Sequence, residues 1–111
     1  MLYVYPDGII QLTRGDTARL SVSIHNDVTE EDYDVQDNDL LVLTVKKSAR
    51  DLDYKFQKKV VGTNTFHILP TDTQDMPFGK YVYDVQLTTK DSDVYTVIGP
   101  CSFEVLKEVT Y

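Results

Sequence analysis

The chain has 111 residues, 41% of them hydrophobic, and a formal net charge of −7. That length fits a single domain, residues 1–111, able to bury a core without staples, and one cysteine, Cys101, excludes an internal disulfide framework. The acidic balance argues against binding nucleic acid through its phosphates, and no apolar run approaches the ~20 residues that a membrane-spanning helix needs. No signal peptide opens the sequence, so folding in a cytoplasm is the expectation.

Ile9-Ile-Gln-Leu12 reads as a short first strand, and Thr13-Arg-Gly-Asp16 as the turn that ends it. In that turn Gly15 supplies a positive φ and Asp16 bonds nearby backbone amides. Arg14-Gly15-Asp16 is also the integrin-recognition tripeptide, but three residues recur by chance and Gly-Asp is a natural turn pair. Ala18, Leu20, Val22 and Ile24 alternate with Arg19, Ser21, Ser23 and His25, the pattern of a half-buried strand. Residues 26–39 form an acidic loop with a short strand around 33–35, and residues 40–47 are apolar enough for a central strand. A polar connection follows over 48–53, with room for one helical turn across 48–54. Residues 54–61 and 65–69 then read as a hairpin across Gly62-Thr-Asn64.

The stretch Asp72-Thr-Gln-Asp-Met-Pro-Phe-Gly-Lys-Tyr-Val-Tyr-Asp-Val-Gln-Leu87 passes from turn residues into strict alternation. Tyr81, Tyr83, Val85 and Leu87 share one face, and Val82, Asp84, Gln86 and Thr88 the other. Lys90-Asp-Ser-Asp93 turns this strand into 94–98, and Gly99-Pro100 removes a donor and invites a bulge. Residues 102–106 resume the ladder, a place for the last strand to change sheets. Gly79 two residues before Tyr81, at the entry to a strand, is the local pattern of a tyrosine corner. With strands recurring every 8–12 residues, the expectation is an all-β fold: an immunoglobulin-like β-sandwich of about seven antiparallel strands.

Charge is unevenly placed. Asp27, Glu30, Glu31, Asp32, Asp34, Asp37 and Asp39 fall within 27–39 with no Lys or Arg, and the remaining acids equal the bases in number. Residues 46–59 lean the other way, with Lys46, Lys47, Arg50, Lys55, Lys58 and Lys59 against Asp51 and Asp53. The two segments read either as solvated faces or as complementary docking surfaces, where charge sets orientation more than affinity.

Catalytic chemistry has little to stand on. His25 and His67 occupy polar strand faces, and no phosphate loop, nucleophile elbow or zinc-type spacing occurs. Asp32, Asp34, Asp37 and Asp39 have the oxygen chemistry for calcium, but the loop lacks the glycine and distal Glu of an EF-hand. Cys101 reads as a small buried hydrophobe. The expectation is no enzyme, no metal and no cofactor.

Taken together, Thr13-Arg-Gly-Asp-Thr-Ala18, Leu43-Thr-Val-Lys-Lys-Ser48, Phe66-His-Ile-Leu-Pro-Thr-Asp-Thr73, Gly79-Lys-Tyr-Val-Tyr-Asp-Val-Gln-Leu87, Val94-Tyr-Thr-Val-Ile98, Phe103-Glu-Val105 and Glu108-Val-Thr110 carry a resemblance. The set resembles small immunoglobulin-like proteins of tailed bacteriophages and prophages, and is similar to the N-terminal domain of phage baseplate upper proteins. The resemblance implies a virion structural protein of tail, baseplate, neck or head surface, made in the host cytoplasm. Its implied partners are other phage structural proteins and copies of itself, with neither nucleic acid nor membrane. The alternative is a small acidic phage-encoded inhibitor whose loop mimics nucleic-acid phosphates in a host protein's basic groove.

Overall fold

The computed structural model describes residues 2–4, 8–26 and 29–107. Within them the chain forms β1 (Leu2–Val4), β2 (Ile10–Thr13), β3 (Ala18–Ser21), β4 (Ile24–Asn26), β5 (Glu31–Tyr33), β6 (Leu40–Lys46), β7 (Phe56–Val61), β8 (Thr65–Ile68), the helical turn α1 (Pro70–Thr73), β9 (Gly79–Thr88) and β10 (Val94–Leu106). The all-β class is observed. Ten strands are seen among the described residues where about seven were expected: the strand predicted over 18–25 divides into β3 and β4, and β1 adds an edge.

A six-stranded sheet in the order β1-β2-β10-β9-β6-β7 carries most of the fold, with β3–β8 and β4–β5 as separate pairs. Period-two alternation decides its faces. Leu41, Leu43 and Val45 of β6 and Tyr81, Tyr83, Val85 and Leu87 of β9 are buried, while their neighbours face outward. Ala18 and Leu20 of β3 and Phe66 and Ile68 of β8 join the same apolar core. Phe103 lies at its centre, edge-on to Phe56 and Tyr83 with ring centroids 5.7 and 6.3 Å away.

Four expectations are corrected. Not every pairing is antiparallel, because β2 lies parallel to β10 from Ile10↔Phe103 to Thr13↔Leu106. Residues 54–61 and 65–69 do not form a hairpin: β7 pairs with β6, and β8 pairs with β3. The Gly62-Thr-Asn64 corner instead passes between sheets, held by Gly62 N–H to Asp39 O (2.9 Å) and by Val22 N–H and O bonding Asn64 (3.0 and 2.8 Å). The last strand does not change sheets either. Its ladder with β9 shifts register around Ile98 and Cys101, then continues to Val105↔Gly79 in the same sheet. Finally, the helical turn lies at Pro70–Thr73 and not across 48–54, where Asp51 N–H bonds Ser48 O in a simple turn (3.1 Å). Pro70 opens α1, and the Asp72 carboxylate accepts Leu69 N–H (2.7 Å).

Candidate functional site

The antiparallel register of β6 and β9 decides which loops meet. Leu40 pairs with Thr88 at one end of this ladder and Lys46 with Val82 at the other. The loop entering β6 therefore meets the β9–β10 turn, while the β6–β7 connection meets the start of β9.

The first end is acidic. Asp34 and Asp37 are exposed on the loop entering β6, Glu30, Glu31 and Asp32 are exposed at the β4–β5 pair that precedes it, and Asp27 lies outside the described residues. Asp91 and Asp93 join them from the β9–β10 turn, which nothing in the local pattern of 89–93 announced. Tyr33, Val35 and Asp37 on one side and Lys90, Asp91 and Asp93 on the other line a depression of about 510 Å³. The exposed His25 sits between two of these carboxylates, with Nδ1 3.4 Å from Asp32 and Nε2 3.7 Å from Glu30.

Asp39 does not belong to this solvated face. It is 3% exposed, and it accepts the Tyr33 hydroxyl at 2.5 Å and the Gln36 N–H at 2.8 Å. The carboxylate is an internal anchor for the loop, because a buried charge needs donors that a surface charge finds in water. The Tyr33 phenol is pushed up to about 12 by the bond to Asp39, with burial and the Asp39 charge adding to it. Asp32, Asp34, Asp37 and Asp39 do not converge on a cation: among the described residues no three His, Cys, Asp or Glu side chains are grouped to hold one.

The opposite end is basic but narrower than 46–59. Lys47, Arg50 and Lys55 are exposed on and beside the β6–β7 connection, with Asp51 and Asp53 between them. Lys80 joins from β9: Lys47 Nζ donates to Lys80 O (3.4 Å) and lies 4.8 Å over the Tyr81 ring. Leu52 is 97% exposed on this connection. Lys46 lies on the outward face of β6 beside Asp84 of β9. Burial pushes the Asp84 carboxyl above the usual carboxylate range, and the Lys46 charge partly opposes that.

Lys58 and Lys59 belong elsewhere. Both sit midway along β7, opposite Leu43 and Val42, on the edge of the six-stranded sheet. Lys59 is exposed, whereas Lys58 is half-buried and its ammonium lies 2.7 Å from the Asp72 carboxylate. Lysines on an edge strand, one of them pointing inward, discourage another strand from adding there.

Tyr81 and Gly15 lie at the entry to β9 and in the 13–16 turn. Tyr81 is 2% exposed, and its hydroxyl donates to Pro77 O at 2.6 Å, tying the preceding loop to the start of β9 at Gly79. Gly15 has φ +81°, and its N–H donates to Thr73 Oγ1 at 2.9 Å inside the core. Asp16 N–H closes the turn onto Thr13 O (3.1 Å). Arg14 stacks 4.1 Å over the Phe78 ring and its guanidinium donates to Met76 O (3.5 Å), so the Arg-Gly-Asp turn is engaged within the molecule.

No family model, curated protein or solved structure matches this chain. The site must be read from its own residues. What they build is two oppositely charged rims on one ladder, a geometry suited to docking proteins in a chosen orientation.

Proposed function

We propose that this chain is an immunoglobulin-like β-sandwich serving as a non-enzymatic structural protein of a tailed-phage particle, acting by protein–protein docking. The fold reading is supported by the Tyr81–Pro77 bond at the entry to β9 and by the one core shared by β3–β8 and the six-stranded sheet. The particle reading is supported by the spread of resembling segments from Thr13 to Thr110. The observation that carries docking is the separation of charge to the two ends of the β6–β9 ladder. Charged rims outside a packed core steer and orient a partner while leaving the fold rigid.

Quantitative mass spectrometry of purified particles tests the proposal. A structural component is expected at a constant copy number per particle that survives high-salt washing. Its absence from clean particles would sink the reading.

One observation favours the inhibitor reading as the second choice: Asp37, Asp91 and Asp93 line a single depression, where they outnumber Lys90. In that case the chain is missing from particles, and co-purifies from infected cells with a nucleic-acid-binding host protein in salt-sensitive fashion.

A further inference from the structure

We infer that copies of this chain dock head to tail, the acidic end of one against the basic end of the next. The inference rests on the docking reading above and names its partner and orientation. From Leu40 to Lys46 the ladder spans roughly 20 Å at the usual strand rise. At physiological salt, charges are screened beyond about 8 Å. An approaching molecule therefore meets one end at a time, and the net charge of −7 does not govern the contact.

The two ends are complementary in charge and polarity. The acidic end is concave: Tyr33, Val35, Asp37, Asp91 and Asp93 line its depression, with Lys90 among them. The basic end offers an exposed apolar side chain: Leu52, 97% exposed, lies between Asp51 and Asp53 on the 47–55 connection, and Lys47, Arg50, Lys55 and Lys80 outnumber those two acids at this end. Seating that connection in the depression of a second copy buries the exposed leucine against Tyr33 and Val35. It also brings four bases, Lys47, Arg50, Lys55 and Lys80, accompanied by Asp51 and Asp53, to a depression where Asp37, Asp91 and Asp93 outnumber Lys90. Pairing like ends brings carboxylates onto carboxylates, or lysines onto lysines, which charge repulsion disfavours. Because the two surfaces are different and do not overlap, each docked copy leaves one end free. The contact is heterologous and propagates into a ring or a row of subunits.

Sedimentation velocity on the purified chain tests this, using two neutralised variants. One carries Asp37→Asn, Asp91→Asn and Asp93→Asn, and the other Lys47→Gln, Arg50→Gln and Lys55→Gln. The wild-type chain is expected to exceed its 12.7 kDa monomer mass with rising concentration in about 150 mM salt, and to return to it in about 500 mM. Each variant alone should stay at the mass of one chain. Mixed in equal amounts, they should pair and stop at two chains, since one retains only a basic end and the other only an acidic end. Leu52→Ser, which leaves every charge in place, should weaken self-association at least tenfold; circular dichroism matching wild type secures the fold of all three variants.

A wild-type chain that remains monomeric at about 1 mM in about 150 mM salt overturns the inference. So do variants that fail to pair when mixed, or that associate as well as wild type when alone. A chain that is monomeric in solution yet present in particles overturns head-to-tail docking and leaves the particle reading standing. Pairing variants whose wild-type parent is missing from particles uphold the docking and remove the particle.

Discussion

Lys58 and Asp72 form an ion pair of 2.7 Å that joins the edge strand β7 to the helical turn α1. Both side chains are mostly buried, at 21% and 16% exposure, and Asp72 also accepts the Leu69 N–H. Losing either partner leaves the other charge half-buried without its counter-ion. Lys58→Met is expected to cost about 1–2 kcal/mol, and Asp72→Ala more because the backbone bond goes too. Urea unfolding midpoints check this. Lys59→Met, on the exposed side of the same strand, should stay within about 0.5 kcal/mol of wild type.

Tyr81→Phe removes the hydroxyl that reaches Pro77 O and keeps the ring in the core. The expected loss is about 1 kcal/mol, the net worth of a single partly buried hydrogen bond. Equal stability of the variant and wild type in chemical denaturation would show that the corner contributes nothing to the fold.

The Tyr33–Asp39 bond makes a prediction about high pH. The folded state holds the phenol proton up to about 12, above its ordinary value of 10.0. A raised folded pKa means the contribution to stability is complete below pH 10 and disappears as pH rises through about 12, where the folded phenol ionises. In a phenolate absorbance titration Tyr33 should therefore ionise later than an ordinary tyrosine, and Asp39→Asn should bring it down. The difference spectrum of Tyr33→Phe identifies which transition belongs to it.

Gly99 has φ +94°, and a Cβ there would lie 2.5 Å from Tyr83 O and 3.0 Å from Asp84 Cα. Both obstacles are backbone atoms of the paired strand, so they yield only if the ladder moves. Gly99→Ala is expected to destabilise by at least about 2 kcal/mol. Gly15→Ala also meets a positive φ, of +81°, but nothing stands within 4 Å of its Cβ. Its cost should be nearer 1 kcal/mol. Thermal unfolding of the pair separates steric clash from backbone preference.

The sequence by itself determined the features that repeat over neighbouring residues. Alternation in 81–88 assigned the inward and outward faces of β9 correctly, Gly79 and Tyr81 marked the corner, and Gly99-Pro100 marked the disturbed ladder. Each is local, set by the two-residue pleat or by one residue's φ and donor. The candidate surface was legible only as two charged segments. Tertiary structure alone decided that Asp91 and Asp93 stand beside Asp37, that Lys80 joins Lys47, and that Asp39 and Lys58 turn inward to Tyr33 and Asp72. It also sent β7 and β8 to different sheets, although the turn between them looked like a hairpin. A strand's periodicity states which side it buries but not which strand it pairs with, because pairing is settled by contacts between residues far apart in the chain.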